Sequence, residues 1–113
     1  YFGGVTLFDK GSFVKINGYS NEYWGWGAED DDVLLRCSIM GIPTFRKDCE
    51  YLSLSHERKI DSVPYWTNVN KLRSFQSNPT EDSIMSDGIT TLKYTKKGEE
   101  TISVNSKKIT VNL

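Results

Sequence analysis

The pattern of apolar and polar positions predicts one clear amphipathic helix, from Glu29 to Met40. Its apolar residues recur at i, i+4 and i+7, and a glycine and a proline follow at positions 41 and 43. This period is typical of a helix with one buried face, and glycine followed by proline commonly ends a helix. The apolar positions are Val33, Cys37 and Met40. We expect Cys37 to be a buried free thiol, and we expect the same of Cys49.

A shorter helix is predicted from Asp9 to Asn17. Asp9 is a suitable N-cap, and Gly18 comes just past the end. The inward residues would be Phe13 and Ile16. The next segment, from Tyr19 to Trp26, is aromatic and interrupted by glycine, which predicts a loop that forms one wall of a pocket.

Short strands are predicted at both sides of these helices. The opening segment, Tyr1 to Phe8, is apolar and partly β-branched, and its paired glycines, Gly3 and Gly4, indicate a backbone that closely approaches another group or bulges. Thr44 to Lys47 and Glu50 to Ser55 predict two further strands.

The second half of the chain predicts a polar loop and then a β-meander. Residues 57–75 are polar, with a possible helix from Asn68 to Phe75 that ends at Asn78-Pro79-Thr80. Strands are predicted at 91–95, 101–104 and 108–113, with turns at 97–99 and 105–107. The inward side chains of this meander would be Leu92, Tyr94, Ile102, Val104, Ile109 and Val111.

Candidate chemistry is concentrated where the longer helix begins. Trp24 and Trp26 alternate with glycines and stand directly before four carboxylates, Glu29 to Asp32. The helix dipole favours one or two acids there, but adjacent like charges repel, so we expect a cationic or hydroxyl-rich partner. Carboxylates can bind sugar hydroxyls or act as a general base, and indoles offer a face for a pyranose ring. A carbohydrate site and an acid-capped helix under two core tryptophans are both open on the residues alone.

Composition narrows the class of protein only slightly. The chain has 113 residues and a net charge of -1, which fits one small domain and gives no basic face for nucleic acid or membrane. No apolar run is long enough to cross a bilayer. The first residue is tyrosine, so we expect a piece of a longer protein.

Three segments resemble the C-terminal catalytic half of the beta-1,4-galactosyltransferase family in order and spacing. They are Tyr1-Phe2-Gly3-Gly4-Val5, Phe13-Val14-Lys15-Ile16-Asn17-Gly18-Tyr19 and Tyr23-Trp24-Gly25-Trp26-Gly27-Ala28-Glu29-Asp30-Asp31-Asp32. Later landmarks are His56 with Arg58 and Lys59, then Met85-Ser86-Asp87-Gly88 and Ile109-Thr110-Val111. So long a run in register is more specific than a single short motif. Ala28 departs from it, since many members have glycine there.

The resemblance implies a role for each matched residue. Asp30 would be the catalytic base and Asp31 would bind the acceptor sugar. Glu29 would lie by the donor sugar and Trp26 would close over both. Tyr1, Gly3 and Gly4 would approach the donor sugar, with Tyr1 favouring galactose over its N-acetylated relative.

The resemblance also implies a manganese ion. His56, the only histidine, matches the family's metal-binding histidine. Many members have a methionine ligand three residues earlier, where this chain has Ser53, a weaker ligand. The other ligand would come from an Asp-x-Asp motif in a nucleotide-binding half that this sequence lacks. We therefore expect weak Mn²⁺ binding, or none, by this chain alone.

Together these features predict an α/β fold over residues 1–113, the C-terminal half of a GT-A type (Rossmann-like) nucleotide-sugar transferase with a C-terminal β-meander. The expected reaction is metal-dependent, inverting transfer of galactose or a related hexose from a UDP-sugar to a sugar hydroxyl. The alternatives are a non-catalytic carbohydrate-binding domain and a structural domain of a polysaccharide-synthesising protein.

Location and assembly follow from weaker signals. The sequence has no acceptor site for N-glycosylation, which favours a cytoplasmic, bacterial or viral enzyme over the alternative of a eukaryotic Golgi lumenal one. A piece that lacks its partner half would expose apolar surface and self-associate.

Overall fold

The computed structural model describes residues 2–48, 50, 52, 55 and 63–113. Four α-helices are followed by a short 3-10 helix, Ile89–Thr91, and a β-hairpin. In chain order the helices are α1 (Lys10–Lys15), α2 (Glu29–Ile39), α3 (Val63–Ser77) and α4 (Glu81–Met85), and the strands are β1 (Thr95–Ser103) and β2 (Ser106–Asn112). The fold therefore combines helices with a two-stranded antiparallel sheet.

The helices predicted in the first 40 residues are both present. In α1, the Asp9 carboxylate accepts a hydrogen bond from the Ser12 backbone N–H at 3.0 Å, which caps the helix as predicted. In α2, Gly41 adopts a left-handed φ of 63°, and the Ile42 N–H donates to the Cys37 carbonyl at 2.8 Å. A left-handed residue followed by this hydrogen bond is a common way for a helix to end. Glycine and asparagine adopt the left-handed conformation at low cost.

The hydrophobic core lies between α1 and α2. Ile16, Val33 and Cys37 are fully buried, as the apolar pattern predicted, and Cys37 is a free thiol. Partly buried apolar side chains complete the cluster: Phe2, Phe8, Phe13, Met40 and Ile42. The predicted loop over 19–26 is also confirmed, because it contains no helix or strand. Cys49 lies outside the described residues.

Asn17 joins the end of α1 to the late part of the chain. It adopts φ 58° and is 1% exposed. Its side-chain amide donates to the Ile84 carbonyl at 2.9 Å, its side-chain oxygen accepts from the Thr90 N–H at 3.0 Å, and its carbonyl accepts from the Ile89 N–H at 2.8 Å. One buried residue thus satisfies backbone groups of both α4 and the 3-10 helix.

The third helix is longer than the sequence predicted. Helix α3 begins at Val63, whereas we expected polar loop up to Asn68. Pro64 occupies the first turn, where a missing N–H costs nothing, and Tyr65 and Trp66 are helical rather than part of a loop. The break at Asn78-Pro79-Thr80 is confirmed, since the Thr80 side chain caps α4 with a reciprocal Ser83 contact.

Two predicted strands do not form in the described residues. Residues 2–8 contain no strand, because Gly3 and Gly4 have φ of 110° and 78°, which interrupt an extended backbone. Residues 44–47 are likewise not a strand, and the hairpin is the sheet that the described residues form. The predicted strand over 50–55 falls mostly outside the described residues.

The predicted meander is a single hairpin. Residues 97–99 were expected to form a turn, but they lie inside β1, where the register shifts between Lys96 and Gly98 as in a β-bulge. The segment before β1 is a 3-10 helix and extended chain, not a first strand. The six side chains predicted to face inward are 43% to 100% exposed, because the hairpin packs on no layer of the described chain.

No helix in the described part of the chain is long and apolar enough to span a membrane.

Candidate active site

The tryptophan loop, residues 22–28, leads directly into α2. Gly25, Gly27 and Ala28 have φ of 80°, 106° and 73°, all in the left-handed region. Glycine adopts these angles freely, whereas alanine is strained there. The third glycine of the resembled motif is therefore explained by backbone geometry, and Ala28 retains that geometry at a cost.

The last acid of the run is structural. The Arg36 Nε donates to Asp32 Oδ2 at 2.6 Å, one turn along α2, and both residues are 2% exposed. The Tyr23 hydroxyl lies 3.4 Å from the other Asp32 oxygen, and burial beside this carboxylate raises the Tyr23 pKa. We expected a cationic or hydroxyl-rich partner for the acidic run, and the last of its four acids, Asp32, pairs with a cation, Arg36.

Arg36 also binds Asp87, which belongs to the matched segment Met85-Ser86-Asp87-Gly88. Its Nη1 donates to the Asp87 carbonyl at 2.7 Å, and its Nη2 lies 3.6 Å from the Asp87 carboxylate. That carboxylate accepts from the Ser20 hydroxyl and from the Asn21 N–H at 2.9 Å. The network links α2, the two residues before the tryptophan loop and the segment after α4.

Asp30 faces the opening segment of the chain. A methyl carbon built on Gly3 would lie only 2.1 Å from Asp30 Oδ2, so the Gly3 backbone lies directly against this carboxylate. Partial burial raises the Asp30 pKa, and the charges of Glu29 and Asp31 raise it further. The structure thus brings together two predicted site residues that are far apart in sequence.

The remaining two acids differ in exposure. Glu29 is half-buried, and its Oε2 atom is buried without a hydrogen-bond partner among the described residues. Asp31 is exposed. Gly4 is also exposed.

The tryptophans are surface residues. Trp24 is 63% exposed and Trp26 38% exposed, so the alternative of two core tryptophans is wrong. One face of Trp26 stacks on Tyr65 of α3, with ring centroids 5.6 Å apart and planes at 23°. Trp66 meets the Tyr65 ring edge-on at 5.2 Å, which forms a row of three aromatic rings.

Two predicted site residues, Tyr1 and His56, lie outside the described residues, as do Ser53, Arg58 and Lys59. Within the described ranges, no three histidine, cysteine or acidic side chains form a group that could hold a metal ion. The described residues alone therefore do not make a manganese site.

A cavity of about 500 Å³ lies beside the Asp32–Arg36 pair. Its lining includes Asp32, Arg36 and Lys71, and none of the three acids that precede Asp32. In the described part of the chain, the candidate active site therefore lies outside this cavity, at the contact of Gly3 with Asp30.

Several residues of this site were not predicted from sequence. Arg36 stands four residues after Asp32, a spacing that signals an ion pair on a helix. Asp87 belonged to a matched motif, but its partner Arg36 is 51 residues away and left no local signal. Tyr65 lies in the first turn of α3, which was not predicted, whereas Asn68 was predicted to be helical but its contact with the Trp24 carbonyl was not.

The family model and the individual relatives that match this chain are all galactosyltransferases. The family described as "N-terminal domain of galactosyltransferase" matches residues 1–59. Beta-1,4-galactosyltransferase 2 of mouse is 39% identical over 97 residues, which is 83% of this chain and 25% of that protein. Beta-1,4-galactosyltransferase 1 of cattle is 34% identical over 99 residues, which is 83% of this chain and 23% of that protein.

A shorter match has a higher identity. Beta-1,4-galactosyltransferase 4 of mouse is 59% identical over 39 residues, which is 34% of this chain and 11% of that protein. The chain spans about a quarter of the first two relatives. These relatives are mammalian and do not support the bacterial or viral origin expected from the missing glycosylation site. The match over residues 1–59 and the shared identity show that the chain belongs to the beta-1,4-galactosyltransferase family.

Proposed function

We propose that this chain contributes the acceptor side of an enzyme that transfers galactose, or a related hexose, from a UDP-sugar to a sugar hydroxyl. The acceptor oxygen attacks the anomeric carbon, the bond from that carbon to the diphosphate oxygen breaks, and the configuration inverts. Asp30 takes the proton from the attacking hydroxyl. The diphosphate leaves with the bonding electron pair, so charge and atoms balance.

The contact between Gly3 and Asp30 is the observation that carries this proposal. Gly3 belongs to the segment expected to approach the donor sugar, and its backbone lies close to the carboxylate of Asp30, the proposed base. A base must reach the reacting hydroxyl, and a raised pKa makes a carboxylate a stronger base at neutral pH. An acid that only capped a helix would require neither feature.

The remaining roles follow the resemblance. Exposed Asp31 binds acceptor hydroxyls, and Glu29, with its unpaired buried oxygen, faces the donor sugar. Trp26 offers an indole face to a pyranose ring. Tyr1 and Gly4 complete the donor side, with Tyr1 favouring galactose.

A manganese ion is part of the proposal on resemblance alone. His56 would be its ligand from this chain, together with the Asp-x-Asp motif of a nucleotide-binding half. When bound, such an ion supplies positive charge beside a diphosphate. The described residues form no metal cluster, so no step of the reaction is assigned to it.

The wider setting is also proposed. The chain would be the C-terminal part of a GT-A type catalytic domain in a longer enzyme. The mammalian relatives favour the eukaryotic alternative, with the Golgi lumen as its location.

The decisive experiment replaces Asp30 by Asn in the full-length enzyme. We expect galactosyl transfer to fall by about 100-fold or more, the usual contribution of a general base. Asp82→Asn is the matched control, because Asp82 also stands in the first turn of a helix and is exposed. Undiminished transfer by Asp30→Asn would refute the assignment.

The exposed tryptophans also fit a carbohydrate-binding domain without catalysis. Calorimetry separates the two functions. Acceptor binding that requires UDP-galactose and manganese supports the transferase, whereas acceptor binding independent of both supports the binding domain. A purely structural domain predicts instead that Trp26→Ala reduces stability more than activity.

A further inference from the structure

One face of α3 contacts the tryptophan loop at three places. Tyr65, Asn68 and Lys71 are spaced three residues apart, so they lie along one side of the helix. The loop residues that they contact are Trp26, Trp24 and Glu22, in reverse order and two residues apart. The loop therefore runs antiparallel to α3 with a regular register of three helical residues to two loop residues.

Each contact is of a different chemical kind. The Tyr65 ring stacks on the Trp26 indole. The Asn68 amide, 2% exposed, donates to the Trp24 carbonyl at 3.0 Å. The Lys71 ammonium donates to the Glu22 carbonyl at 2.5 Å and lies 3.3 Å from the Glu22 carboxylate. The loop backbone and the Trp26 ring are both held by α3. These contacts limit the movement of Trp26 that Gly25 and Gly27 would otherwise permit.

The close fit at Gly27 has the same cause. A methyl carbon at this position would lie 2.8 Å from the Tyr65 ring, so the ring packs directly over the loop backbone. A methyl carbon at Gly25 would lie 3.4 Å from the Pro64 side chain. The first turn of α3 thus lies against both glycines that flank Trp26.

We propose that Tyr65 is a positioning residue for the acceptor sugar: it holds one face of the Trp26 indole so that the exposed remainder is presented beside Asp30 and Asp31. Asn68 and Lys71 fix the loop backbone that carries the indole. This inference rests on the proposed function. Helix α3 would thus orient the tryptophan loop, a role that the residues of the acidic run do not have.

The contact itself is tested without any assumption about activity. In a background of Trp24→Phe and Trp66→Phe, Trp26 is the only tryptophan, and acrylamide quenching of its fluorescence reports its exposure. We expect Tyr65→Ala to raise the Stern–Volmer constant and Tyr65→Phe to leave it unchanged, since phenylalanine keeps the ring. Equal quenching in all three proteins would overturn the proposal.

The functional consequence is tested by kinetics of the full-length enzyme. Tyr65→Ala should raise the acceptor KM by about two- to tenfold, the range expected for one aromatic pair, while the donor KM stays constant. Tyr65→Phe should restore the acceptor KM. Tyr94→Ala removes a tyrosine that is 55% exposed elsewhere and is the control.

The two proposals fail in different ways. If Tyr65→Ala raises quenching but leaves the acceptor KM unchanged, the positioning role is wrong although the contact exists. If the unaltered enzyme transfers no hexose, the proposed function is wrong, and the quenching result still decides whether Tyr65 holds Trp26.

Discussion

Four consecutive carboxylates at the start of α2 have four different surroundings. Asp32 is buried against Arg36, Asp30 lies against Gly3, Glu29 has one unpaired buried oxygen, and Asp31 is exposed. The helix dipole alone would treat the four similarly. Tertiary contacts therefore decide which acid stabilises the fold and which is available for chemistry.

The difference between Asp32 and Asp31 is measurable. Asp32→Asn should lower the free energy of unfolding by about 1–3 kcal/mol, because the buried Arg36 would lose its nearer carboxylate and keep only that of Asp87, 3.6 Å away. Asp31→Asn, the matched control one residue earlier, should change it by less than about 0.5 kcal/mol. Urea unfolding of both variants tests this, and equal losses would show that the ion pair is not structural.

The raised pKa of Asp30 predicts a pH dependence. The folded chain holds the proton on Asp30 more tightly than the unfolded chain, whose carboxyl keeps a value near 3.8. Stability from this group is therefore present below that value and is lost as the pH rises through the folded pKa. At neutral pH, the Asp30→Asn variant should be more stable than the unaltered protein. At a pH below the ordinary carboxyl pKa, the variant should have no such advantage. Thermal unfolding over this range is the measurement.

Ala28 carries strain that glycine would relieve. Its φ of 73° is left-handed, and it caps α2 without any side-chain hydrogen bond. Ala28→Gly should raise the unfolding free energy by about 0.5–1 kcal/mol, the strain removed less the extra freedom of glycine in the unfolded chain. Ser77→Gly is the control, because Ser77 is exposed at the end of α3, and this change should not stabilise the protein. A loss of stability in Ala28→Gly would contradict the strain.

At the scale of elements, local signals predicted α1 and α2 well. Asp9, Gly18 and Gly41 are caps whose chemistry acts within a few residues, so the sequence displays them directly. The hairpin was predicted less well, because Gly98 suggested a turn where the strand instead forms a bulge. Bulges and turns share residue types, and only strand pairing distinguishes them.

The start of α3 could not be predicted for a different reason. Its buried residues, Asn68 and Leu72, include a polar side chain, so the apolar period is weak. Asn68 is buried, and its side-chain amide donates to the Trp24 carbonyl. A helix that packs against a loop through polar side chains has few apolar residues at helical spacing, so its sequence pattern predicts it poorly.

Asn17 connects elements that are distant in sequence, which predicts a large effect of its removal. Asn17→Ala should lower the free energy of unfolding by about 2–4 kcal/mol, because it leaves the Thr90 N–H without its acceptor, removes the side-chain donor to the Ile84 carbonyl and puts alanine at a left-handed φ. Asn78→Ala, at an exposed position, is the control. Denaturant unfolding measures both, and a small effect at Asn17 would show that water replaces its hydrogen bonds.

At the scale of the whole molecule, the hairpin is exposed on the described chain. Ile102, Val104 and Ile109 are 65%, 100% and 56% exposed. Such apolar surface favours association. Sedimentation velocity of the isolated chain should show a sedimentation coefficient that rises with concentration, and Val104→Lys should reduce that rise. A constant coefficient would contradict the expected self-association.

The contacts of Arg36 with Asp87, and of Asn17 with residues 84–90, have a consequence for synthesis on the ribosome. They join positions 51 to 73 residues apart, so they close only after the last of these segments has left the exit tunnel. Until then Arg36 can pair with Asp32, but Asn17 has no late segment to bind. The acid-bearing helix therefore forms early and its surroundings form late, so a polypeptide interrupted before residue 87 exposes a half-built site to chaperones and proteases.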